Sequence, residues 1–141
     1  MELIFVAQNS RWSTREVMLR PDDRFPELSV NLPELLTRVD NDHELLRDLL
    51  GIFKKQFPRL LQSLHQAVVR EDMKLVEAAG HTLRGMLANL EATRAAASAA
   101  RLERMGKHGV TEGLREELAT LEGETALALA ELETFCREMI R

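Results

Sequence analysis

The sequence predicts an all-α protein: an antiparallel four-helix bundle with an additional short N-terminal helix. Three observations predict it. From Asn31 onward, apolar residues recur at the three-to-four spacing of amphipathic helices in four long stretches. Asn, Asp, Gly and Pro residues that start and stop helices punctuate those stretches, and the connections are short. Nothing after residue 30 alternates as a strand would. Helices of this kind bury their stripes most directly by packing antiparallel to their chain neighbours.

The elements follow in order. Residues 1–28 read as an N-terminal extension or linker, with a short β-like apolar run at 3–7, the sole Trp12, and Pro21 and Pro26 around Asp22-Asp23. The bundle is assigned to residues 29–141. Asn31 is placed to cap a short helix over 33–36, where Pro33 fits because a first-turn amide has no helical partner to lose. Asp42 opens a long helix with apolar residues at 46, 49, 50, 53, 57, 60, 61, 64 and 68. Pro58 inside it is expected to bend the helix or split it in two. Asp72 caps the next helix, which runs to about Asn89. A third long helix covers Ala92 to Met105; Ala95, Ala96 and Ala99 permit close approach of a neighbour, and Gly106 and Gly109 are expected to end it. The last helix is expected from about Thr111 to Ile140, with Leu114, Leu118, Leu121, Thr125, Ala128, Leu132, Phe135 and Met139 on one stripe. Gly123 is its weak point.

Composition narrows the function classes. A chain of 141 residues, 45% apolar and 30% charged, can bury one core without metal or disulfide staples. Its net charge of −4 argues against a nucleic-acid binder, which needs a basic stripe to displace counterions. The solitary Cys136 rules out an internal disulfide and fits a reducing compartment. No apolar run approaches the roughly 18 residues that span a bilayer, and Glu2 to Ala7 is too short and acidic for a signal peptide. The expectation is a cytoplasmic protein with no membrane insertion and no nucleic-acid partner. Enough helices for a bundle in one chain suit a monomer.

The chemistry concentrates at His81, in Gly80-His81-Thr82-Leu83-Arg84-Gly85. At about 100° per residue, Leu75, Val76, Ala79, Leu83, Met86, Leu87 and Leu90 fall opposite it. Lys74, Glu77, Ala78, Arg84, Gly85 and Ala88 share its polar face. A neutral imidazole is an available nucleophile near neutral pH and can accept a phosphoryl group on one ring nitrogen. Such a transfer needs positioning and charge stabilisation. Arg84, at i+3, can set a guanidinium beside the transferred oxygens, and Gly85, at i+4, removes a crowding side chain. Lys74, Ala78 and Ala88 are the candidate partner-docking positions, small or cationic and close to the ring.

The stretch from His81 to Leu90 resembles the signature of histidine-containing phosphotransfer (HPt) domains, a histidine followed by x-x-Lys-Gly. Asn31 to Leu36, Glu44 to Leu50, the helix interrupted near Pro58, the Arg70-Glu71-Asp72 turn and Leu102 to Lys107 match the family's layout, over roughly residues 30–141. The resemblance implies that His81 is the phosphoacceptor, through its ε nitrogen. It puts Arg84 at the usual lysine, Gly85 at the matching glycine, Lys107 where a second basic residue often stands and Glu103 where some members orient the imidazole. It implies receiver domains as partners, of response regulators or of a hybrid sensor kinase, with the magnesium ion on the receiver and no cofactor here. Three departures from the pattern involve four positions. Arg84 changes reach and geometry, Met86 and Leu87 replace small residues, and Glu91 replaces a glycine, so the helix must end differently, near Asn89.

Each of these residues also admits a plainer reading. His81 could be an incidental surface histidine, but Arg84, Gly85 and the whole-domain match argue otherwise. His43, His65 and His108 are scattered, and no short-spaced Cys/His set suggests zinc. Glu116-Glu117 reads as solvated helix surface, the Ala-rich 92–100 stretch as packing, and Cys136 as unactivated. No phosphate-cradling glycine loop is present, so the chain is expected to be no kinase and no enzyme. Two rival readings fit the same sequence. One is a helical adaptor that binds receivers or other helical partners without being phosphorylated. The other is the dimerisation bundle of a sensor kinase, which usually takes two helices from each of two chains. The Pro-containing segment at 21–26 suits a linker in a free-standing protein and in a C-terminal module of a hybrid kinase alike.

Overall fold

The computed structural model describes residues 29–139, with side chains to residue 138. The expectations for residues 1–28, for Ile140 and for the side chain of Met139 lie outside the described residues. Among these there are five helices and no strand: α1 (Leu32–Arg38), α2 (His43–Arg70), α3 (Met73–Asn89), α4 (Thr93–His108) and α5 (Leu114–Met139). The four long helices form the bundle, each packed on its chain neighbours and α5 closing back on α2, with the most extensive contact between α3 and α4. Leu46, Leu64, Val76, Leu83, Leu102, Leu121, Leu132 and Phe135 are buried at its centre.

The helix starts obey the capping chemistry read from the sequence. The side chains of Asn31, Asp42 and Asp72 accept from the amides of Glu34, Leu45 and Leu75 at 3.2, 2.9 and 3.3 Å. Each satisfies an amide that the first helical turn leaves without a partner. α3 ends at Asn89, and Glu91 follows in the left-handed region at φ 56°, where glycine is the usual occupant. Two contacts hold it there. Its carboxylate accepts from Arg38 Nη2 at 2.6 Å, and its carbonyl accepts from the Asn31 amide at 2.9 Å, which ties α1 across the α3–α4 turn.

Three expectations are corrected, and a fourth is narrowed. α2 is continuous through Pro58, so of the two outcomes expected there the split does not occur. Phe53 and Phe57 stack with centroids 5.0 Å apart, and burial of these and of Leu64 on both sides of the proline offsets its missing hydrogen bond. Gly106 does not end α4, which runs on to His108 and is capped by Gly109 at φ 67°. α5 begins at Leu114, not Thr111, because Gly113 turns the chain at φ 80°. Leu75 is 39% exposed at the edge of α3's apolar arc, although the wheel puts it opposite His81.

Gly80 and Gly106 set the spacing of α3 and α4. A methyl group on Gly80 would lie 2.8 Å from the Glu103 backbone nitrogen. One on Gly106 would collide with the backbone nitrogen of Glu77 and lie 2.7 Å from the Met73 carbonyl oxygen. Residue 80 therefore faces 103 and residue 77 faces 106, an antiparallel register locked by two glycines. Ala95 and Ala99 are fully buried earlier in α4, and the Ala99 carbonyl oxygen would lie 3.1 Å from the same methyl on Gly80.

Where the described chain enters the fold, Glu131 of α5 accepts from the Ser29 and Val30 amides at 2.8 and 3.0 Å through the same oxygen, Oε1. Burial pushes its carboxyl up to about 7, against the opposing pull of those amides and of Arg94. A carboxyl whose folded value is raised favours the protonated fold, so this contribution to stability is full in mild acid and lost as pH rises through about 7. Glu131→Gln keeps an Oε1 for both amides and removes the buried charge, losing only the second acceptor that Ser29 faces at 2.8 Å in Oε2. Its unfolding free energy is expected to exceed the wild type's by about 1–3 kcal/mol near pH 8 and to converge with it near pH 5, measured by urea denaturation.

Candidate functional site

The cap at Asp72 and the buried arc of Val76, Ala79, Leu83 and Leu87 fix the rotation of α3 and turn His81 outward. Its side chain is 66% exposed. Because Gly80 lets α4 approach, Glu103 reaches the imidazole, and Nδ1 lies 2.9 Å from Glu103 Oε2. Arg84, one turn along α3, donates from Nε to Glu103 Oε1 at 2.7 Å, and its Nη2 lies 3.0 Å from the same His81 Nδ1. His81, Arg84 and Glu103 are thus one cluster on two helices.

The two neighbours of Nδ1 make opposite demands. A carboxylate only accepts, so it needs Nδ1 to carry the proton; a guanidinium only donates, so it needs a bare nitrogen. Arg84, and to a smaller degree His81, hold the Glu103 carboxyl below its ordinary value, so Glu103 is ionised and accepts a hydrogen bond from Nδ1–H. That tautomer leaves the lone pair on Nε2, which makes no hydrogen bond among the described residues. The ring is held at one nitrogen and open at the other.

The remaining predicted positions surround this cluster without joining it. Gly85 is exposed, and a side chain there would meet nothing within 4 Å. No internal packing therefore requires this helix-interior glycine, which costs about 1 kcal/mol relative to alanine. Lys74, Ala78 and Ala88 are exposed on α3, and Lys107 is exposed on α4, one turn beyond Glu103. Sequence reasoning gave Gly80 no role, although its place on the buried arc of α3 was a readable signal. It also gave no position to an apolar groove between α2 and α3, lined by Leu49, Ile52, Phe53, Met86 and Leu90. Ile52 is 52% exposed there, and Met86 lies one to two turns along α3 from His81.

Other candidate residues fall elsewhere. His43 starts α2, His65 pairs with Glu122 at 2.9 Å and His108 ends α4, so the histidines do not converge. Among the described residues no cluster of three or more His, Cys, Asp or Glu side chains is arranged to hold a metal ion. Glu117 is not simply solvated: it accepts from Ser98 Oγ at 2.5 Å and Arg101 Nε at 3.0 Å and ties α4 to α5. Cys136 is buried, and burial raises its thiol above the ordinary value, which keeps it protonated and inert. No helix among the described residues is long and apolar enough to cross a membrane.

Compared with known protein families, residues 48–135 match the family described as Hpt domain. The matched segment runs from α2 to near the end of α5 and contains the whole His81–Arg84–Glu103 cluster. No curated protein and no solved structure matches the chain.

Proposed function

Since this chain belongs to the Hpt-domain family, whose members are phosphocarriers rather than enzymes and act without a bound cofactor, we propose that His81 is the residue that carries the phosphoryl group. The observation that carries this reading is the exposed imidazole held through Nδ1 by Glu103, with the lone pair left on Nε2. In the proposed step, Nε2 attacks the phosphorus of an aspartyl phosphate on a receiver domain. The Nε2–P bond forms, the aspartate O–P bond breaks, and the carboxylate leaves on the receiver. Nδ1 keeps its proton, so the phosphorylated ring is cationic, and Glu103 compensates that charge as the buried carboxylate of a catalytic triad does for its imidazolium. Reversal onto a second receiver's aspartate completes the relay. The reading places the chain in the cytoplasm as a monomer.

The receiver's footprint is proposed to be the low surface around His81 together with the α2–α3 groove. Gly85, Ala78 and Ala88 leave the ring unobstructed, Lys74 and Lys107 offer positive charge to the acidic rim of an incoming active site, and Ile52 and Met86 offer apolar area. Gly85→Ala separates docking from folding. It is expected to gain about 0.5–1 kcal/mol of stability and to slow phosphoryl uptake about tenfold. Gly123→Ala, equally open in the fold and on the distant helix α5, should gain the stability without slowing uptake. Chemical denaturation and uptake kinetics on the two variants check the pair.

The test of the reading is a transfer and a chase. A receiver domain labelled on its aspartate is mixed with this chain, and acid-labile, base-stable label is expected to move onto it. Adding an unlabelled second receiver should then drain that label. Binding without label transfer would instead support the adaptor reading.

A further inference from the structure

Arg84 occupies the position from which a cation is expected to face the phosphoryl group, yet the structure puts its guanidinium elsewhere. Its Nε is engaged by Glu103 Oε1 at 2.7 Å, and its Nη2 lies 3.0 Å from His81 Nδ1. Both contacts are on the Nδ1 side of the ring, whereas a phosphoryl group on Nε2 projects from the opposite side. The Nη2 contact cannot be a hydrogen bond while Nδ1 carries the proton that Glu103 accepts. It is the by-product of a guanidinium anchored on the carboxylate.

Glu103 needs such an anchor. Its side chain is 22% exposed, and Lys107 follows it at i+4 on α4, the spacing and order in which a glutamate and a lysine pair best along a helix. The charged groups that act on it are Arg84 and His81 of α3; Glu77 lies one turn before His81 on the same face of α3, and Lys107 lies one turn on along its own helix. Without Arg84, the carboxylate is drawn along its own helix and away from the imidazole.

We infer that Arg84 is a positioning residue that acts on His81 through Glu103, clamping the carboxylate against Nδ1, and is not a ligand of the phosphoryl group. The inference rests on His81 being the carrier. It assigns the phosphoryl charge to other cations, Lys74 and Lys107 on this chain or groups of the receiver.

A double-mutant cycle on the uptake rate tests it, with a titration that needs no phosphorylation. Arg84→Met is expected to slow uptake about tenfold, Glu103→Ala at least as much, and the double variant no more than Glu103→Ala alone. Arg84→Lys should restore part of the loss, since it returns the charge without the planar fork. In the unphosphorylated chain, the Glu103 carboxyl, followed by carbon NMR, should titrate below the ordinary range in the wild type and move upward in Arg84→Met. The uptake of that variant should accordingly fail in mild acid where the wild type still works. Multiplicative losses in the cycle would show Arg84 touching the phosphoryl group and overturn the inference, as would a Glu103 titration unmoved by Arg84→Met. If no label reaches His81 in any variant, the carrier reading fails, and the titration still decides whether Arg84 clamps Glu103.

Discussion

His81→Gln is expected to fold as the wild type does and to take up no phosphoryl group above background. The two halves of that expectation have separate physical grounds. His81 is 66% exposed, makes no core contact and sits on a helix whose burial comes from Val76, Leu83 and Leu87, so its loss should change stability by less than about 0.5 kcal/mol. Glutamine can reach Glu103 with its amide and preserve the local hydrogen bonding, but an amide nitrogen has no lone pair to offer phosphorus. The loss is therefore of the nucleophile alone. Circular dichroism with denaturant titration checks the fold, and label transfer from a phosphorylated receiver checks the chemistry. No other described histidine can substitute, because His43, His65 and His108 lie at separate helix positions without the Glu103 contact.

Gly106→Ala is expected to produce the largest loss of stability of any glycine-to-alanine change in this chain. The new carbon would collide with the Glu77 backbone nitrogen and sit 2.8 Å from the Glu77 α-carbon. Those are backbone atoms in the first two turns of α3, so no side chain can rotate away to make room. The helices must separate, at a cost of about 2–3 kcal/mol, even after the gain of about 1 kcal/mol that alanine brings to a helix interior. That is a large fraction of the 5–15 kcal/mol typical of a domain. The same displacement lengthens the 2.9 Å contact between His81 and Glu103, so uptake should fall in the molecules that remain folded. Gly80→Ala is milder for the fold and more damaging for the site, since its methyl presses on the backbone of Glu103 itself, at 2.8 and 3.0 Å. Urea denaturation of both variants, with uptake rates measured well below each midpoint, separates the two effects.

These glycines also mark the limit of what the sequence made legible. Asn31, Asp42 and Asp72 were readable as caps because capping is local, a side chain bonding an amide three residues away. The outward turn of His81 was readable because the wheel needs only one helix and its apolar arc. Gly106 reads as a terminator because, within its own helix, a glycine near Gly109 looks like a stop. Its actual role depends on Glu77, some thirty residues earlier, and appears only once α3 and α4 are paired. Glu103 was placed near the imidazole by resemblance, but nothing in the spacing of His81 and Arg84 showed that the guanidinium would lie on Glu103 rather than free above the ring. Glu117 reads in the sequence as solvated surface for the same reason, since its partners Ser98 and Arg101 are on another helix. What a helix does to itself was visible; what it does to its neighbour was not.

Locating the phosphoryl group tests the central claim most directly. The wild-type chain, incubated with a phosphorylated receiver and examined by phosphorus and nitrogen NMR, is expected to show one phosphoryl group per chain, on Nε2 of His81, with Nδ1 still protonated. A phosphoryl group on any other residue or on Nδ1, or a receiver that loses its phosphate to water while the chain stays unmodified, would contradict it.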